Sequence, residues 1–180
     1  MDQEEGLRVD DDVKLIVDYL KDYRQYIDKR LANPDEIEGI TTGIKELDTI
    51  TGGFKEGEFS VLAARTSIGK TSIALHMALE AAKLLNDHEY VCFFSLEMSA
   101  NQLINRIISI KVNETVNTII KKNNMELLYQ GLSELAFLNL LVDSSGSMDL
   151  NVLRKKIASI DKQYSIKGSV ASINCSTRRL

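Results

Sequence analysis

The chain has 180 residues, 44% of them apolar and 27% charged, and a net charge of −4 at neutral pH. That is enough apolar surface for one sizeable core with an appendage, and it excludes a disordered tail. The charge balance supplies no field that would draw nucleic acid, no stretch approaches 18 uncharged apolar residues, and the first thirty residues lack a signal-peptide core; a soluble, cytoplasmic protein without membrane contact is expected.

Along the chain, Val13, Ile16, Leu20, Tyr23, Ile27 and Leu31 recur in steps of three and four, which predicts an amphipathic helix over roughly residues 9–31. A lone helix of this length is marginal in water, so its stripe must be covered, either by its own domain or by a neighbouring subunit. Asn33-Pro34 stops it, because proline disfavours the helical conformation in the residue before it. Pro34 is the only proline in the chain. It marks the expected boundary between a linker over residues 1–34 and a domain over 35–168.

From Ile40 the pattern changes to a helical turn over Ile44 to Ile50, a Gly52-Gly53 turn, and an apolar run from Phe59 to Ala64 that reads as a buried strand. A helix follows over Gly69 to Leu85, then a strand over Tyr90 to Ser95. Helices over Asn101 to Val112 and Met125 to Phe137, a short strand over Asn139 to Val142, and a helix over Asp149 to Tyr164 complete the series. Such alternation predicts an α/β fold with a mostly parallel sheet, covering helices and right-handed crossovers. Cys92 and Cys175 have no partner at metal-ligand or redox spacing, and Cys92 reads as core. The pairs Lys121-Lys122, Lys155-Lys156 and Arg178-Arg179 read as solvated faces. His76 and His88 fit no motif and read as structural or exposed.

The run Ala64-Arg65-Thr66-Ser67-Ile68-Gly69-Lys70-Thr71 fits a phosphate-loop pattern with alanine at its first glycine position. A phosphate chain needs backbone N–H groups pointed into a concave loop, with a residue such as Gly69 where the backbone approaches the ligand, and the helix that follows adds its positive end. Lys70 would reach the β- and γ-phosphates of ATP, and the Thr71 hydroxyl would coordinate Mg²⁺, which prefers hard oxygen ligands. The nucleotide-contacting stretch is taken as Ala64, Arg65, Thr66, Ser67, Ile68, Gly69, Lys70, Thr71 and Ser72. The second strand ends in Ser95-Leu96-Glu97-Met98 and leaves Glu97 at the carboxyl edge of the sheet, where open α/β sheets bind ligands. Glu97 could orient the water that attacks the γ-phosphorus, or serve as an N-terminal acid for the next helix; the residues alone leave both open.

The landmarks Gly39-Ile40-Thr41-Thr42-Gly43-Ile44-Lys45-Glu46-Leu47-Asp48, Ala64 to Thr71, Ser95 to Met98 and Val142-Asp143-Ser144-Ser145-Gly146 resemble, in order and spacing, those of DnaB-type replicative DNA helicases. In that family the loop also begins with alanine, although its usual proline is Thr66 here. The Ser-Leu-Glu-Met run separates it from recombination ATPases of the RecA type. The resemblance implies a RecA-like ATPase core, Glu97 as catalytic glutamate with Lys70, ATP and Mg²⁺ as cofactors, and a linker helix that docks on the adjacent motor of a hexameric ring. It also implies that single-stranded or forked DNA is engaged by parts of the parent protein outside this chain.

The resemblance covers about Val13 to Lys167. After Gly168 the family continues with an apolar strand ending in an acid, whereas residues 169–180 read as an atypical tail. A vector-derived scar on a truncated chain and a reading-frame shift over Asn174 to Leu180 both account for it. Two functions follow: the ATP-binding part of a ring-forming helicase, or a non-catalytic fragment that binds helicase subunits through its linker helix.

Overall fold

A computed structural model describes residues 15–34, 36–65, 67–146 and 148–172. The chain divides after Glu36 into two compact units.

The first unit contains α1 (Ile16–Ala32), with Lys29 and Arg30 in its last turn, where cations favour the helix dipole. None of its residues is buried. Ile16 is 75% and Leu31 74% exposed, and Leu20 and Tyr23 of the stripe are exposed as well. Val13 lies outside the described residues.

The second unit runs α2 (Lys45–Thr51), α3 (Lys70–Lys83), β1 (Glu89–Ser95), α4 (Ala100–Val112), α5 (Val116–Lys121), α6 (Met125–Leu135), β2 (Leu140–Asp143), α7 (Leu150–Asp161) and β3 (Ser165–Ser172). The strands form a sheet in the order β2-β1-β3, parallel throughout. This is the α/β architecture that the alternation predicts. Val91 and Phe93 of β1 pack with Leu75, Ala78, Leu79 and Ala82 of α3 and with Leu103 and Ile107 of α4. Cys92 and Phe94 alternate to the other face and are also buried. A central strand covered on both sides explains why Val91 to Phe94 is one unbroken apolar run.

Local sequence sets the helix starts. The Gln102 side chain accepts from the Ser99 N–H at 3.0 Å ahead of α4, Thr115 accepts from Thr118 N at 3.2 Å ahead of α5, and Asp149 accepts from Val152 N at 2.8 Å ahead of α7. Each satisfies an amide that the helix leaves open.

Three expectations are corrected, and one element was unforeseen. The run Phe59 to Ala64 is not a buried strand: it is exposed throughout, Phe59 at 91%, and no strand is assigned to it. Strand character requires a bordering ladder, and none of the three paired strands takes up this run. The tail expected from residue 169 begins inside a strand, because Ser165–Ser172 pairs along β1 from Glu89↔Ser165 to Ser95↔Ser172, with an irregularity at Tyr90/Val91. Backbone pairing needs no large side chains, and half-buried Ile166 and Val170 alternate along it. Residues 173–180, with Cys175, lie outside the described set. The short helix α5 has no counterpart in the sequence pattern; its one buried residue is Ile119. Finally, Lys156 does not lie on a merely solvated face, since its ammonium pairs with Asp143 at 2.5 Å.

Candidate phosphate site

The loop before α3 turns through two left-handed residues, Ser67 at φ +68° and Gly69 at φ +104°. Gly69 occupies the N-cap position of α3, and its carbonyl accepts from Ile73 N at 3.0 Å. A Cβ added at Gly69 would meet nothing within 4 Å. The demand for glycine here is therefore conformational, since φ near +100° strains any L side chain. Ala64, Arg65, Ser67 and Ile68 are exposed, while Gly69, Lys70, Thr71 and Ser72 are half-buried at the start of the helix. Thr66 lies outside the described residues. The first-turn amides of a helix point out of its N-terminal end, where the dipole is positive. Leu75, Ala78, Leu79 and Ala82 anchor the rest of α3 in the core, so the loop hangs from a fixed rod.

The parallel register brings the carboxyl ends of all three strands to one edge, with Phe94 opposite Asp143 and Ser95 opposite Ser172. Beyond Ser95 the chain closes a tight turn in which the Ser95 hydroxyl accepts from Met98 N and donates to Met98 O, both at 3.0 Å. Leu96 and Glu97 form the crest of that turn, and Glu97 is exposed. Because Ser99 and Gln102 begin α4, Glu97 lies two residues upstream of the helix start.

Two polar clusters flank these elements that sequence reasoning did not single out. In the first, the buried Asp48 carboxylate accepts from Thr42 N at 2.8 Å and from the Thr41 hydroxyl at 2.5 Å. Burial pushes its pKa up, but the hydrogen bonds from Thr41 and Thr42 prevail and hold it below its ordinary 3.8. In the second, Lys156 donates to Asp143 and, at 2.6 Å, to the Ser145 hydroxyl. Burial again opposes ionisation of Asp143, and the bonds from Lys156 and Ser145 outweigh it, leaving the pKa below 3.8. Both acids sat in visible motifs; what sequence could not supply was which donors converge on them.

A cleft of about 510 Å³ opens beside Asp143, lined by Cys92, Phe94, Ile160 and Tyr164 among others. It involves the Cys92/Phe94 side of the sheet, opposite the side that α3 covers. Burial, and then the nearby charge of Asp161, push the Cys92 thiol up to about 11, so it stays protonated and inert. His76 is half-buried and His88 exposed. Among the described residues no three His, Cys, Asp or Glu side chains gather as a metal site, and no helix is long and apolar enough to cross a membrane.

Comparison with known proteins bears on this geometry. The family described as DnaB-like helicase C terminal domain matches residues 39–171. The replicative DNA helicase DnaB of Geobacillus stearothermophilus is 34% identical over 131 residues, covering 70% of this chain and 28% of that protein. DnaB of Helicobacter pylori strain 26695 is 49% identical over 74 residues, covering 41% of this chain and 14% of that protein. This chain thus spans less than a third of the length of either relative. Among solved structures, an ATPase domain superposes with a TM-score of 0.74 at 23% identity, over 89% of this chain and 56% of that one. A DnaB-like replicative helicase studied with primase gives a TM-score of 0.70 at 23% identity, over 90% and 38%. At such identity the two structures establish the fold, which is RecA-like.

Proposed function

Because the chain belongs to the DnaB-like helicase family, we propose that it is the ATP-binding part of a ring-forming replicative DNA helicase, coupling ATP hydrolysis to duplex unwinding. The observation that carries this reading is the loop before α3: left-handed Ser67 and Gly69 turn the backbone, and Lys70 and Thr71 follow at the helix's positive end. In this reading Ala64 to Ser72 wrap the phosphates, the Lys70 ammonium neutralises charge on the β- and γ-phosphates, and the Thr71 hydroxyl ligates Mg²⁺. The metal, when bound, screens the charge that builds between those phosphates. Glu97 orients the attacking water; its place upstream of the Ser99 start of α4 supports this role over that of a helix-capping acid. DNA contact, hexamer formation and a cytoplasmic setting belong to the same reading, with DNA engaged by regions outside this chain.

Equilibrium binding of a fluorescent ATP analogue with Mg²⁺ tests it, comparing the chain with Lys70→Ala at matched circular dichroism. Saturable binding weakened at least about tenfold by the substitution is expected, equivalent to ~1.4 kcal/mol. No binding by a folded chain, or equal binding by the variant, would overturn it.

The exposed stripe of α1 favours a second reading, in which the chain docks on helicase subunits and does no chemistry. Mixed with an intact DnaB-type helicase, such a fragment would co-elute and inhibit. Loss of co-elution on removing residues 1–36, with nucleotide binding absent throughout, would favour this reading over the first.

A further inference from the structure

The loop of residues 39–44 is held more firmly than a connector needs. Ile40 and Phe54 exchange two backbone hydrogen bonds, at 2.8 and 2.9 Å. Thr41 accepts from Gly43 N at 2.9 Å while donating to Asp48, and the Thr42 hydroxyl accepts from Ile44 N at 3.2 Å. Thr42 is 0% and Asp48 6% exposed, so the corner is closed by buried polar contacts rather than by solvent. At its apex Gly43 sits at φ +73° against the side of α3. A Cβ there would lie 2.6 Å from the Glu80 Cβ and 2.3 Å from its Cγ. Side-chain rotation can move the Cγ, but the Glu80 Cβ is fixed to the helix backbone, so relief requires that α3 or the corner shift.

Glu80 lies ten residues beyond Lys70 on the same helix, about 15 Å along its axis. The corner precedes the phosphate loop in sequence and α3 follows it, so the contact between Gly43 and Glu80 ties together the two stretches of chain that the loop joins. A packed helix transmits such a displacement along its axis rather than absorbing it.

We propose that the Thr41-Thr42-Gly43 corner, buckled by Asp48 onto the Gly43–Glu80 contact, is a positioning element for the phosphate loop. It sets where α3 rests and so where Gly69, Lys70 and Thr71 meet the nucleotide, without touching the ligand itself. The inference rests on the nucleotide-binding reading above.

The test uses the whole chain, with Mg²⁺ and a fluorescent ATP analogue as probe, at a temperature where each protein is fully folded by circular dichroism. Gly43→Ala should lower affinity by about tenfold, the equivalent of ~1.4 kcal/mol, since the shift it forces moves Lys70 and Thr71 away from the phosphates. Adding Glu80→Gly to it removes the clash while weakening the helix. The double variant should regain affinity even where its unfolding midpoint stays below that of the unsubstituted chain, which separates the placement of the loop from overall stability. If Gly43→Ala fails to fold, Thr41→Val, which opens the buckle without a wedge, should lower affinity by about threefold, and Thr41→Ser should restore it. Affinity unchanged in a folded Gly43→Ala, or not regained in the double variant, would overturn the proposal. In either case normal binding by the unsubstituted chain and its loss in Lys70→Ala would leave the nucleotide reading standing. Failure of the unsubstituted chain to bind would remove the reading and this inference together.

Discussion

A carboxylate as buried as Asp48 is tolerable only because two donors meet it, the Thr42 amide and the Thr41 hydroxyl. Asp48→Ala would leave both donors unmatched in a closed corner, at a cost of about 1–3 kcal/mol. A lower urea midpoint with an unchanged slope would report this cost. Because the folded pKa of Asp48 lies below the ordinary 3.8, its contribution is fully present above that value and is lost as pH falls through the lower folded one. Asp143 behaves in the same sense. Asp48→Asn should thus be less stable than the parent at pH 7, with the gap narrowing below pH 3.8; a gap that widens in acid would contradict the assignment. The pattern behind the proposed phosphate loop, Ala64 to Ser72, is readable at this scale because its requirements are local: left-handed backbone, a lysine, a hydroxyl and a helix start within nine consecutive residues. The partners of Asp48 and Asp143 were not, because sequence names donors without saying which converge.

Among the helices with side-chain caps, α4, α6 and α7 were legible nearly to their ends, while α5, capped by Thr115, was not. Asp149 fixes the start of α7 through Val152 N, and Asp149→Ala should cost about 1 kcal/mol. Since no residue of α7 is buried, hydrogen exchange should show that loss as faster opening of α7 amides while those of β1 remain protected. Equal acceleration in β1 would mean that α7 and the core open together. The strands were less legible. Phe59 to Ala64 and Val91 to Phe94 are both short apolar runs, yet only the second lies between two paired strands. Apolarity reports that a segment seeks cover; a ladder decides whether it becomes a strand. The converse holds for β3, where Ser, Gly and Ala side chains carry little signal and the backbone supplies the pairing.

On the scale of the whole molecule, the division after Glu36 and the absence of any buried side chain in α1 make a direct prediction. A chain of residues 37–180 should keep a cooperative unfolding transition within about 0.5 kcal/mol of the full chain, as for changes away from a core. A midpoint lowered beyond that would show α1 to be part of the folded unit's stability. The amino-acid sequence by itself determined the α/β alternation, most of its helices and, through landmarks in fixed order, the family. These are properties of neighbouring residues, where capping, periodicity and backbone preference act over a few positions. Tertiary structure alone decided that β1 lies central, that residues 165–172 complete the sheet, that Lys156 turns toward Asp143, and that Gly43 must be small to let α3 pass. Each of these joins residues far apart in the chain, and contact at that range is set by how whole elements pack rather than by any local preference.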